Sequence, residues 1–189
     1  MGAELVVIGT SLGGLTALKV ILGGLAADFT VPIAVVQHRH RDSDHMMSDF
    51  LRQFLQLPIV EVEDKDPIVL GHIYLAPPDY HLLVEPGYFA LSIDEPVLYA
   101  RPSIDVLFES AADTYGAGSL GVVLTGTNRD GARGLARIRA AGGQAIVQDP
   151  ATAEGRVMPE AAIAATPTAT VLPLETIAAY LTTHCDPWR

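Results

Sequence analysis

The sequence predicts a three-layer α/β fold with a mostly parallel sheet and an appended β-hairpin. Short apolar runs rich in β-branched residues alternate with segments whose apolar residues recur at helical spacing. Such alternation places strands side by side in parallel, with helices covering both faces. Pro86-Gly87 separates two further strand-like segments and reads as a hairpin turn, because proline presets one torsion and glycine accepts positive φ. The composition agrees: 49% of residues are hydrophobic, 18% are charged and only 6% are aromatic, which suits close packing of helices on a sheet.

The elements follow in order. Leu5 to Ile8 reads as a buried strand and Leu15 to Leu25 as a helix. Ile33 to Gln37 is a second strand ending at His38. Ser43 is placed to cap a helix running to about Leu55, with Met47, Phe50, Leu51 and Phe54 on its inner face. Short strands follow at Ile59 to Val62 and His72 to Ala76. His81 to Glu85 and Tyr88 to Ile93 form the hairpin. Ser103 precedes a helix from about Ile104 to Tyr115 and is expected to cap it. Ser119 to Leu124 is a buried strand, and a helix ends near Ala141. Gln144 to Gln148, a short helix from Pro159 to Ala165, Thr170 to Leu172 and a helix from Leu174 to Thr183 complete the pattern. Asp186 to Arg189 reads as a short tail.

Charge and cysteine content narrow the function. The 189 residues carry a formal net charge of -10, which speaks against nucleic acid or an anionic membrane as partner. The one cysteine, Cys185, permits no intrachain disulfide and fits a reducing, cytoplasmic setting. No apolar run approaches the roughly 20 residues of a membrane span, and Met1 to Glu4 offers no basic leader.

Gly9-Thr10-Ser11-Leu12-Gly13, between the first strand and helix, fits the G-x-S-x-G nucleophile elbow. Its glycines allow a sharp turn, and the serine would stand beside free N–H groups of the next helix. A Gly-rich turn with an idle serine satisfies the same pattern. In parallel sheets the functional loops lie at the carboxyl ends of strands. Ser11, His38 and Asp130 each follow such an end. Singly, His38 could be an ordinary loop histidine among six, and Asp130 could cap the helix after it. Together they fit a Ser-His-Asp triad. No metal site and no cofactor is expected: H-E-x-x-H is absent, and His38-x-His40 alone is weak.

Longer stretches extend this reading. Val7-Ile8-Gly9-Thr10-Ser11-Leu12-Gly13-Gly14, Gln37-His38, the stretch Arg101 to Phe108 and Leu124-Thr125-Gly126-Thr127-Asn128-Arg129-Asp130-Gly131-Ala132 occur in that order. The chain thereby resembles the catalytic domain of the chemotaxis receptor methylesterase (CheB) family. It departs from that family at Leu12, where threonine is usual, at Thr127-Asn128, where Met-Gly is usual, and after His38, where a proline is usual nearby. The resemblance implies hydrolysis of glutamate γ-methyl esters on chemoreceptor cytoplasmic helices, with receptor glutamine deamidation as a related activity. It implies Ser11 as nucleophile, His38 as base and Asp130 as its orienting carboxylate, with oxyanion donors near Leu12 and Gly126-Thr127. Partners would be the receptor helices, and a receptor methyltransferase or a separate regulatory protein. Residues 1–189 are expected to form a single catalytic domain without the receiver domain usual in the family. Rival readings are a serine hydrolase of another ester and a non-catalytic signalling module of the same fold. Arg39 and Arg41, with Arg129, Arg133 and Arg137, are the candidate basic rim for an acidic receptor helix.

Overall fold

The structure is a computed structural model that describes residues 2–39 and 46–185. A seven-stranded sheet has the order β3-β4-β2-β1-β7-β8-β9, and every pairing in it is parallel. Its strands are β1 (Leu5–Thr10), β2 (Ile33–Gln37), β3 (Ile59–Glu61), β4 (Ile73–Leu75), β7 (Ser119–Val123), β8 (Gln144–Gln148) and β9 (Thr170–Leu172). The hairpin, β5 (His81–Glu85) and β6 (Tyr88–Ser92), forms a separate antiparallel pair. Gly87 has φ 85°, as the second corner of a Pro-Gly turn demands.

Side-chain alternation along the central strands divides the core. Val6, Ile8, Ile33 and Val35 face α1 (Gly14–Gly23), α2 (Met46–Arg52) and α6 (Leu174–His184). Leu5, Val7, Ala34 and Val36 face α3 (Ile104–Tyr115), α4 (Ala132–Ala140), α5 (Val157–Ala165) and the hairpin. Both faces of β1 and β2 are therefore covered, which explains why these strands read as continuous apolar runs instead of alternating ones.

Several expectations change. The helix expected up to Leu55 ends at Arg52. Of the four expected inner-face residues only Leu51 is buried; Met47 packs at the core's edge, and Phe50 and Phe54 are 36% and 39% exposed. Lys19 places its ammonium over the Phe54 ring, so that aromatic serves the surface. The capping position assigned to Ser43 and the tail from Asp186 lie outside the described residues. His72 sits in the turn before β4, not in a strand. Short 3₁₀ turns at Gly116–Gly118 and Pro150–Thr152 were not anticipated. No helix among the described residues is long and apolar enough to cross a membrane.

Candidate active site

The chain leaves β1 for β2 on one side, while β7 pairs with its other edge. The carboxyl ends of these adjacent strands form the reversal point where a parallel sheet opens a crevice. Ser11, His38 and the loop to Asp130 emerge there. Backbone bonds lock the ends together: the His38 N–H donates to the Thr10 carbonyl at 3.0 Å, and the Ser11 N–H donates to the Thr125 carbonyl at 2.9 Å. The Gln37 amide donates to the Ser11 carbonyl at 2.9 Å and to the His38 carbonyl at 2.8 Å. Thr125 Oγ1 donates to the Leu12 carbonyl at 2.8 Å. The turn holding Ser11 is thus fixed from both neighbouring strands.

The two elbow glycines answer different needs. Gly13 has φ 76°, a left-handed conformation costly for side-chain-bearing residues. A Cβ on Gly9 would collide with Ile104, so Gly9 admits the start of α3 against β1.

His38 Nε2 lies 2.8 Å from Asp130 Oδ2, with the carboxylate fully buried and the imidazole side chain 13% exposed. Asp130 also accepts from Ser103 Oγ at 2.9 Å, the Ile104 N–H at 2.7 Å and the Asp105 N–H at 3.0 Å. It therefore caps α3, which lies before it in the chain, and not the helix after it. Ser103, expected to cap α3, makes no side-chain cap bond and gives its hydroxyl to Asp130 instead. Burial alone would raise the Asp130 value, but the bonds from His38, Asp105 and Ile104 outweigh it and hold the carboxyl below the usual aspartate range.

Asp105 returns the arrangement. Its Oδ1 accepts from the Gly131 N–H at 3.0 Å and the Gly134 N–H at 2.7 Å, so the first turn of α3 caps α4. Here burial dominates and raises the Asp105 value, with the Asp130 charge adding to it, against the Gly134 N–H and Arg133. Sequence reading missed Asp105 as part of the site; its only signal was a place within the Arg101 to Phe108 stretch.

Asn128 completes the loop. Its Oδ1 accepts from the Asp130 N–H at 3.0 Å, and its Nδ2 lies 3.4 Å from His38 Nδ1. No hydrogen bond joins Ser11 Oγ to His38. Beside the imidazole opens a cavity of about 650 Å³, lined by Arg39, Asp79, Leu98, Arg101 and Asn128 among others. The other described histidines are engaged elsewhere: His81 is buried and bonded to Glu95 and Ser103, His72 to Leu70 and His184 to Tyr180. His40 and His45 lie outside the described residues.

Of the proposed oxyanion donors, the Gly126 N–H is already given to the Gly155 carbonyl. The Leu12 N–H donates to no carbonyl among the described residues. The basic rim is also reduced. Arg39 is buried and bonded to Glu61 and the Ala76 carbonyl. Arg133 and Arg137 donate to Glu109 and Asp113 of α3 at 2.6 and 2.8 Å. Arg129 is exposed, and Arg41 lies outside the described residues.

Residues 6–181 match the family model described as CheB methylesterase. The chain belongs to this family. Among its relatives, a Leptospira interrogans protein provisionally named protein-glutamate methylesterase/protein-glutamine glutaminase is 49% identical over 179 residues, covering 94% of this chain and 93% of that protein. An Anaeromyxobacter dehalogenans protein named protein-glutamate methylesterase/protein-glutamine glutaminase 2 is 43% identical over 92% of this chain, but this chain spans only 51% of it. The crystal structure of the Thermotoga maritima CheB methylesterase catalytic domain superposes with a TM-score of 0.92 at 30% identity, covering 97% of this chain and 99% of that one. The CheB-type fold thus extends over essentially the whole chain, hairpin included.

Proposed function

We propose that this chain is a protein-glutamate methylesterase that hydrolyses γ-methyl esters of glutamate on the cytoplasmic helices of chemoreceptors, and deamidates receptor glutamines by the same chemistry. The observation that carries the reading is the 2.8 Å contact between His38 Nε2 and buried Asp130, at strand ends tied to the Ser11 turn, in a chain of the CheB family.

The geometry assigns the ring nitrogens. With Nε2–H given to Asp130, the lone pair available for base catalysis is on Nδ1. Ser11 Oγ attacks the ester carbonyl carbon as its proton passes to His38 Nδ1. The resulting imidazolium is stabilised by Asp130, and the oxyanion by backbone N–H groups, of which Leu12 offers one. Collapse of the tetrahedral intermediate breaks the bond to methoxide, which leaves as methanol with the proton from Nδ1. Water then attacks the acyl-serine with His38 again as base, releasing the glutamate carboxylate and restoring Ser11. With glutamine, ammonia leaves in place of methanol.

Ser11→Ala tests the assignment. Ser11 Oγ makes no hydrogen bond among the described residues, so the variant should keep its circular dichroism and melting temperature while losing methanol release from a methylated receptor. A folded Ser11→Ala protein with retained turnover would refute the triad.

A further inference from the structure

We infer that Asn128 is a latch on the general base: its side-chain amide occupies the His38 nitrogen that must receive the Ser11 proton, and turnover requires that contact to give way. The inference rests on the reading of Ser11 and His38 given above.

The amide's orientation is fixed by its partners. The Asp130 N–H is a donor, so the oxygen of Asn128 must face it, at 3.0 Å. The nitrogen is left to face His38 Nδ1, at 3.4 Å. On the far side of the ring, buried Asp130 accepts from Nε2. Nδ1 therefore carries a lone pair and Asn128 donates to it. That nitrogen has one acceptor site. While Asn128 fills it, the Ser11 hydroxyl cannot, in keeping with the lack of a Ser11–His38 bond. Base and nucleophile are thus uncoupled at rest. The contact is long for a hydrogen bond, so breaking it is inexpensive, and half-buried Asn128 lines the cavity beside the ring, where an entering substrate would meet it.

Two opposite substitutions follow. Asn128→Gly frees Nδ1, so Ser11 should react faster. Asn128→Asp keeps the oxygen that holds the Asp130 N–H but replaces the donor with a carboxylate. That carboxylate accepts from Nδ1–H and holds the imidazolium, which is no base. Among the described residues, the other charged side chains lining the cavity beside the ring are Arg39, Asp79 and Arg101. Arg39 is committed to Glu61, and Asp79 and Arg101 to each other, so neither substitution releases them.

The probe is a fluorophosphonate. Ser11 Oγ attacks phosphorus, fluoride leaves, and the serine proton passes to His38. Labelling rates of the full chain are measured from pH 5.5 to 9, with methanol release from a methylated receptor in parallel. The latch predicts labelling about threefold to tenfold faster in Asn128→Gly, the worth of one modest hydrogen bond. It also predicts slower labelling in Asn128→Asp near neutrality, recovering as pH rises. If Asn128 only braces the loop, Asn128→Gly labels no faster than the parent, and that result overturns the latch. A parent-like pH profile in Asn128→Asp would place the side chain away from the ring and overturn it as well. Should Asn128→Gly fail to fold, Asn128→Ser decides: its hydroxyl can still accept from the Asp130 N–H but is too short to reach Nδ1, so the latch predicts faster labelling there and bracing alone predicts none. Absence of Ser11 labelling in the unsubstituted protein would instead refute the triad itself.

Discussion

Asp130→Asn separates a carboxylate that only serves chemistry from one that also holds the fold. Four donors converge on the buried Asp130 side chain: Ser103 Oγ and the Asp105 N–H on Oδ1, His38 Nε2 and the Ile104 N–H on Oδ2. An amide offers one acceptor oxygen and one NH₂ group. If the NH₂ takes the Oδ2 place, the Ile104 N–H is orphaned and His38 is driven to the wrong tautomer. If it takes the Oδ1 place, the Ser103 hydroxyl can rotate to accept, but the Asp105 N–H is orphaned. One buried backbone donor goes unpaired in either case, costing about 1–3 kcal/mol. The bonds that remain lose their charge assistance, at roughly 1 kcal/mol each. A total of about 3–5 kcal/mol follows, and in a protein this size each kcal/mol lowers Tm by roughly 2–4 °C. Loss of the anion beside the imidazolium should cut kcat by about 10² to 10⁴ as well. Thermal unfolding followed by circular dichroism, with Ser11→Ala as comparison, measures the first effect, and methanol release the second. The reasoning fails if Asp130→Asn melts with Ser11→Ala, or turns over within a few-fold of the parent.

Asp105→Asn should behave oppositely, because an amide oxygen can still accept from Gly131 and Gly134. Folding raises the Asp105 value, so its contribution is fully present below about pH 4 and is lost as pH rises through the folded value. The asparagine should therefore match or exceed the parent's Tm at pH 7 and flatten its fall between acid and neutral pH; a loss of several degrees at pH 7 would contradict this. Asp130 has the reverse sign: its stabilisation holds above the unfolded-chain value and disappears as pH falls through the folded one. Reversing Arg133 and Arg137 together should alter kcat/KM on a receptor only modestly, since both are already paired with α3 carboxylates, while Arg129→Glu should lower it at low salt and spare a small neutral ester. A large, salt-sensitive loss in the double variant would restore those residues to the docking surface. Burial pushes the Cys185 thiol up to about 12, so a thiol reagent should label the native protein only at the rate α6 opens, and rapid labelling would show that helix end to be loose.

Most of the fold was legible because buried parallel strands leave a strong trace. Val6 to Ile8, Ile33 to Val36 and Leu120 to Val123 are apolar whichever face they turn to. Helix α2 was less legible: Phe50 and Phe54 have the spacing of an inner face, but Lys19 covers Phe54 and the segment lies at the sheet's edge. Spacing cannot say whether an aromatic packs inward or beneath a lysine. Ser11, His38 and Asp130 could be picked as candidates because strand ends converge in any parallel sheet. Asp105 and Asn128 could not, because their roles depend on which backbone N–H groups meet them, and those lie 26 and 29 residues away for Asp105 and two residues on for Asn128. The Ser103 cap failed for the same reason, since a carboxylate from another loop reached the helix start first.

The exchange of caps between α3 and α4 also sets what each site residue can reveal about a sequence's history. Asp130 holds the start of α3 and would be retained by a descendant that had given up ester hydrolysis, because losing its carboxylate orphans a buried backbone donor there, whereas an asparagine could take over the Asp105 cap of α4. Among the described residues the Ser11 side chain has no such second duty. In a related chain, then, an intact Asp130 counterpart reports that α3 still starts as it does here, and under the proposed triad the serine hydroxyl is the group whose loss would mark the end of catalysis.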